Sequence, residues 1–297
     1  MPHRISSSRR ILPVMPSVVV PAHNEQQVIG RLLGGLLRGA DRGELEIVVI
    51  CNGCTDATAE VAKACSPDVR VEIIPSASKI EALRLGDHVA SGFPRIYVDA
   101  DVELTLRDVR ALCAALARPP ALAAAPTRLV PLGASSWPVR AFYDLWQELP
   151  KVRQGLFGRG VVAVSEAGHR RIADLPDCMS DDLFLAEAFA PHECVVPPGA
   201  RVVVHPPRTW ADLLRRRTRA MTGNREARDA GAASGRSRTT IADLVTVIWH
   251  QPRLGLRMPV FVATMVMARR RARTIRRAGD TTWLRDESSR LASNPPR

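Results

Sequence analysis

Four short apolar runs punctuate the first hundred residues, and each is followed at once by a stretch with helical periodicity. "SVVVPA" leads into "EQQVIGRLLGGLLRG", where Val28, Ile29, Leu32, Leu33 and Leu36 recur at helical spacing. "LEIVVI" leads into "DATAEVAKAC", and "VRVEIIP" into "KIEALRLGDHVASG", a helix expected to end at Gly92. "RIYV" precedes a helix opened by a capping box, Thr105 with Asp108, and stopped by Pro119-Pro120. Strands that are apolar almost throughout and alternate with helices must be buried on both faces. That requires a mainly parallel sheet covered by helices on each side, so the fold class is α/β.

In such sheets, ligands bind beyond the carboxyl ends of the strands. Three polar clusters, "PAHNE", "CNGCTD" and "DAD", each follow a strand directly and therefore share one rim. The last places Asp99 and Asp101 where a buried strand runs out. Acids are common in turns, but paired carboxylates also suit a hard divalent cation. A second acid pair, Asp181-Asp182 in "SDDLFL", stands ahead of another apolar segment, where a helix N-cap is the plainer reading.

The charge is unevenly spread. Of the formal net +12, the residues from Arg201 onward carry 21 basic against 7 acidic side chains, a surplus of +14, which leaves −2 for the first 200. A basic tail of this kind meets phosphates, whether of lipid headgroups, nucleic acid or anionic substrates. Six scattered cysteines make no secreted disulfide framework, and Cys51 and Cys54 lack the second pair or histidine of a zinc site. No apolar leader opens the chain. The late run "MPVFVATMVMA" has 11 residues, against the roughly 20 of a spanning helix, so a cytoplasmic protein is expected. The organisation reads as an N-terminal tail over 1–15, a catalytic domain over 16–223, a flexible linker or loop over 224–240 and a basic helical extension over 241–297.

"VVVPAHNE", "VVICNGCTDATAEVA", "SKIEALRLGD" and "IYVDADV" follow one another in the order and spacing of family 2 glycosyltransferases, and the chain resembles them from Ser17 to Gly223. The resemblance implies a GT-A, Rossmann-like fold and an inverting transfer of one sugar from a nucleotide-diphospho-sugar, with Mg²⁺ or Mn²⁺ as cofactor. It implies that Pro21, Ala22 and Glu25 line the nucleoside pocket and that Asn52 stands where an Asp commonly contacts the base. Lys79 matches a basic position facing the donor phosphates. Asp101 would hold the metal and Asp99 the ribose or the metal, with His205 as a third ligand in some related enzymes. Asp182 matches the catalytic base of the family's E-D-x-x-L, with Asp181 as its nearest rival. Gly158 and Gly160 would let backbone approach the acceptor sugar. Arg216 and Arg219 sit where processive members carry Q-x-x-R-W, without its Gln or Trp, so they could reach the diphosphate in a single-transfer enzyme.

The implied partners are the nucleotide-sugar donor and a lipid-linked or cell-envelope glycan acceptor, with no nucleic acid. "MPVFVATMVMARRRARTIRR" joins an apolar stretch to a basic run, a pattern suited to peripheral attachment at the anionic inner face of a membrane. Packing of that segment on the catalytic domain, or a dimer contact, is the competing expectation. Two rival functions are a nucleotidyltransferase acting on a sugar phosphate and a non-enzymatic nucleic-acid binder using the basic tail.

Overall fold

The computed structural model describes residues 15–156, 158–173, 188–229 and 240–277. The first part alternates as the sequence predicts: β1 (Ser17–Ala22), α1 (Ile29–Leu37), β2 (Glu46–Asn52), α2 (Thr58–Cys65), β3 (Val69–Ile74), α3 (Lys79–Val89) and β4 (Arg95–Val98). The chain continues through β5 (Val102–Glu103), α4 (Leu106–Leu116), β6 (Ala123–Ala124), β7 (Thr127–Leu129), α5 (Trp137–Trp146), α6 (Pro150–Gln154), β8 (Val161–Val164) and α7 (Glu166–Ala173). It closes with β9 (Cys194–Val195), β10 (Arg201–Val204), α8 (Trp210–Asp229), α9 (Ile241–His250), a 3-10 turn (Pro252–Arg257) and α10 (Met258–Arg277).

Seven strands form the main sheet in the order β3-β2-β1-β4-β8-β6-β9. The first four are mutually parallel, whereas β8 runs antiparallel to both β4 and β6. Strand order reverses between β1 and β4, the kind of switch point where α/β sheets open a crevice. A small second sheet, β5-β10-β7, stands beyond the tip of β4.

Side chains alternate across each strand and so build two cores. Val18, Val20, Ile47, Val49 and Ile96 pack under α1, α2 and α4. Val19, Val48, Ile50 and Tyr97 pack on the other face, with Leu83 of α3 and Ile172 of α7. The capping box at Thr105 forms as predicted, with the Thr105 amide donating to Asp108 Oδ2 at 3.0 Å.

Helix α3 ends sooner than expected, at Val89. Gly92 is not its cap. A Cβ there would fall 1.9 Å from the Met15 carbonyl oxygen, and the Gly92 amide donates to Ser17 Oγ at 2.7 Å. The glycine serves a close backbone crossing at the start of β1.

At the same end of β4, Arg95 is buried against Asp87 at 2.8 Å, and Asp87 also meets Tyr97 Oη at 3.1 Å and His169 Nε2 at 2.7 Å. Burial raises the Asp87 carboxyl, but His169, Arg95 and Tyr97 more than offset it and hold the group below the usual aspartate range.

The C-terminal helices are not a detached extension. Helix α8 runs through the boundary expected at 223, and the tract 224–229 read as linker is helical. A third core joins Val139, Phe142 and Leu145 of α5 to Leu213 of α8, Val247 of α9 and Phe261 of α10. Phe142 and Phe261 stack at 5.0 Å, and the Trp210 indole donates to Thr264 Oγ1 at 3.0 Å. Arg257 pairs with Asp144, and Gln251 donates to Glu148 at 2.7 Å.

Candidate functional site

The register puts Ala22 beside Cys51 and Val19 beside Tyr97, so the ends of β1, β2 and β4 reach one rim together. Their loops are stitched to one another largely through backbone groups. Asn24 adopts φ 53°, a left-handed conformation that asparagine tolerates better than most residues. Its Oδ1 accepts the Thr55 amide at 2.7 Å. His23 Nδ1 donates to the Asn52 carbonyl at 2.6 Å, and the buried Glu25 amide donates to Thr58 Oγ1 at 2.7 Å. Pro21, Ala22, Glu25 and Asn52 are thus brought together, and Asn52 is buried at the end of β2. Asn24, Thr55 and Thr58 carry the geometry and were not singled out from sequence. The signal for Asn24 is its type, an asparagine two residues beyond a strand.

Cys54 belongs to the same stitching. Its thiol donates to the Ala22 carbonyl at 3.3 Å and receives the Asn24 amide at 3.4 Å. Burial, with Cys54 beside it, pushes the Cys51 thiol up to about 12, a group inert at neutral pH. The five described cysteines are all free thiols. The C-x-x-C is a structural element of this loop.

Asp99 is fixed from two sides. Its amide donates to the Gly160 carbonyl at 2.8 Å, and Lys79 Nζ meets its Oδ1 at 2.7 Å. Lys79, expected to face donor phosphates, therefore spends part of its charge on Asp99. With both side chains about a third exposed, the pair contributes of the order of 1 kcal/mol or less. Gly160 has φ 66°, and a Cβ there would stand 2.7 Å from Val102 Cγ1 and 3.2 Å from Asp99 Oδ2. The space beside Gly160, expected to admit an acceptor sugar, is taken by Asp99 and Val102. Gly158 likewise abuts Arg128 and Trp146.

Strands β5 and β10 pair antiparallel with Val102 opposite Val204. His205 directly follows β10, and Asp101 directly precedes β5. His205 Nε2 lies 2.6 Å from Glu103 Oε1, which also meets Arg31 at 3.2 Å. Arg216 Nη1 donates to the His205 carbonyl at 3.0 Å, so α8 is tied to this strand end, while Arg219 lies on the exposed flank of the helix. Among the described residues, no three His, Cys, Asp or Glu side chains converge as a ready-made metal cluster. Asp181 and Asp182 lie outside the described residues.

Residues 17–170, just over half of the chain, match the family described as Glycosyl transferase family 2. The chain belongs to that family. This glycosyltransferase has the GT-A arrangement expected of it, and neither a nucleotidyltransferase nor an inert scaffold for a basic tail accounts for the match. Among solved structures it is similar to a mannosyltransferase from Pyrobaculum calidifontis in complex with GDP-Man and Mn²⁺. The two share 20% identity over 91% of this chain and 80% of that one, with a TM-score of 0.58. It is also similar to the glucosyl-3-phosphoglycerate synthase of Mycobacterium tuberculosis, solved with Mn²⁺, UDP and glucosyl-3-phosphoglycerate. That match has 23% identity over 65% of this chain and 70% of that one, with a TM-score of 0.47. At such identities the likeness is one of fold. No curated protein matched the sequence.

Proposed function

We propose that this glycosyltransferase moves one sugar from a nucleotide-diphospho-sugar to an acceptor hydroxyl with inversion, assisted by Mn²⁺ or Mg²⁺. The observation that carries the reading is the placement of Asp99 and Asp101 directly beyond β4, on the rim where strand order reverses. Two carboxylates and an imidazole are suitable donors for these ions, and such sites commonly draw their remaining ligands from substrate phosphates. Asp101, with Asp99 and His205, would hold the ion, which supplies countercharge to the leaving diphosphate. His205 would join it through Nδ1 while its Nε2 stays on Glu103, the usual carboxylate partner of a metal-bound imidazole.

The stitched loops at Asn24, Asn52 and Glu25 form the wall for the nucleoside. Lys79, and Arg216 with Arg219, supply further positive charge toward the phosphates. In the displacement, the acceptor oxygen bonds to the anomeric carbon as the bond to the diphosphate oxygen breaks, and the hydroxyl proton passes to the Asp182 carboxylate. That base must be distinct from the metal ligands, since a coordinated carboxylate is a poor proton acceptor. Asp181 is the second candidate.

The acceptor is proposed to be lipid-linked, with the enzyme held peripherally on the cytoplasmic face of an anionic membrane. No helix among the described residues is long and apolar enough to cross one. Helix α10 turns Phe261 and Ala268 inward but exposes Val262 and Val266, and α9 with the following turn leaves Ile241, Val245, Trp249 and Leu256 exposed. Ile241, Val245 and Trp249 line an apolar groove of about 630 Å³. Exposed Arg253, Arg269, Arg270 and Arg273 supply the matching charge.

Thermal melting against UDP-, GDP- and dTDP-sugars with and without Mn²⁺ tests the donor. One nucleotide class should raise the melting temperature only with metal, and Asp101→Ala should abolish the rise. No rise with any donor would refute the reading. Asp182→Asn should keep the donor-induced rise while lowering kcat by about 10²- to 10⁴-fold; unchanged turnover removes Asp182 from the role. Sedimentation with liposomes should depend on anionic lipid and be lost in Trp249→Ser, and equal pelleting with neutral lipid would sink the attachment.

A further inference from the structure

Beside the rim stand two cations, Arg128 and Arg217, for which no acidic partner exists among the described residues. Arg128 of β7 lies over the Trp146 ring at 4.3 Å, and Arg217 of α8 lies over the same ring at 4.4 Å and over Phe142 at 4.9 Å. Arg128 Nη1 donates to the Gly158 carbonyl at 2.7 Å, and Arg217 hydrogen-bonds the Tyr143 hydroxyl. The Nε of each is buried without a hydrogen-bond partner. Gly158 stands two residues from Gly160, which touches Asp99, so this pair of guanidiniums adjoins the proposed donor site.

The surrounding charges make the pair unusual. Burial pushes the Arg128 guanidinium down to about 9, and Arg159, Arg217 and Arg216 push it the same way. Burial likewise lowers Arg217, with Arg216 adding to it. No carboxylate is among the groups acting on either. Arg159 is a different case: it is buried, but its donors reach the carbonyls of Gly155, Pro126 and Arg153, so it is a structural cap on α6. An aromatic face attracts a cation but cannot neutralise it, and buried positive charge without a counter-ion is costly. Guanidinium groups remain charged at neutral pH, and their planar forks match phosphate oxygens.

We propose that Arg128 and Arg217, stacked on Trp146 beside the Gly158–Gly160 loop, form an oxyanion subsite that binds a phosphate carried by the acceptor. This rests on the glycosyltransfer reading above and adds the acceptor's chemical class to it. The donor's diphosphate is the alternative source of the same chemistry. It is the less suited, because Asp99, Asp101, Lys79 and the proposed metal already serve it from the other side of the loop.

Inorganic phosphate is the probe, titrated against chloride at constant ionic strength and read as melting temperature. Phosphate should stabilise the wild-type chain, and Arg217→Gln should weaken its apparent affinity at least tenfold. Arg128→Gln, on the more accessible side of the pair, should do the same and keeps the test open if Arg217→Gln fails to fold. The titration is then repeated with saturating nucleoside diphosphate and Mn²⁺. A phosphate response that persists supports an acceptor subsite. A response abolished by nucleotide overturns the proposal, because the arginines then serve the donor. Variants that melt lower but keep wild-type phosphate affinity overturn it too, since the arginines would be merely structural. A missing nucleotide–Mn²⁺ response alongside an intact phosphate response would mark failure of the donor reading rather than of the subsite.

Discussion

The two sides of the catalytic rim handle polar groups in opposite ways. On the β1–β2–β4 side the polar groups close on one another: Lys79 with Asp99, and loop amides with Asn24 and Thr58. On the α5–α8 side, Arg128 and Arg217 rest on aromatic rings. The first arrangement is rigid because its hydrogen bonds are closed within the protein. The second is held by packing and has donors to spare, which is what a surface awaiting an anion requires. The difference teaches that a ligand wall and a ligand-dependent site can share one rim, provided that different elements build them.

The sharpest way to break the comparison is to loosen the aromatic side. Phe261→Ala removes the ring stacked on Phe142 and should destabilise the whole chain by about 3–5 kcal/mol in a single cooperative unfolding transition. Two separate transitions in calorimetry, with the catalytic part unaffected, would mean that the C-terminal helices are independent of it. Asp87→Asn probes the far end of β4, where the charges are closed and buried. Leaving Arg95 buried without its carboxylate should cost about 3–5 kcal/mol near neutral pH. The sign follows from the depressed Asp87 pKa: the stabilisation is fully present above the ordinary aspartate pKa of about 3.9 and is lost as pH falls through the lower folded value. Denaturation of wild type and variant should therefore converge in acid, and a gap that stays constant into acid would remove the charge pair as its cause. Gly160→Ala is a smaller perturbation. It forces φ 66° on a residue with a Cβ and crowds Val102 and Asp99, for about 1–3 kcal/mol. It should also weaken the Mn²⁺-dependent nucleotide response without altering phosphate binding at Arg217. Equal loss of both would show that the two sides are coupled rather than distinct.

Much of the parallel half was legible in the sequence because each strand is a continuous apolar run and each helix carries its own periodicity or cap. The acid pair at the tip of β4 was legible for the same reason: a buried strand makes the acids after it conspicuous. The helix before β4 was overextended because Gly92 reads as a cap, whereas its role is a tertiary crossing against Met15 that local sequence cannot express. Lys79 and Gly160 are legible as candidate site residues, but their contacts with Asp99 are not. The ion pair with Asp99 and the contact under it join segments distant in the chain. Arg128, Trp146 and Arg217 were passed over altogether. Arg128 and Trp146 stand alone in their tracts and Arg217 lies between the named Arg216 and Arg219, so only the meeting of three elements sets them apart. The 224–240 tract was read by its glycine and serine content, yet its first residues continue helix α8.

The hydrogen bond from the Asp99 amide to the Gly160 carbonyl has a consequence for how the enzyme is made. On a ribosome the chain emerges from its N-terminus, and β1 to β4 can pair with one another once Val98 is free. The Asp99 turn is different: its anchor is supplied by a strand approach translated well after it, and His205 later still. A nascent chain can thus own a complete nucleoside wall while its acidic turn is still unfastened. The acidic turn is therefore completed late in biogenesis, once the antiparallel strand β8 has docked along β4.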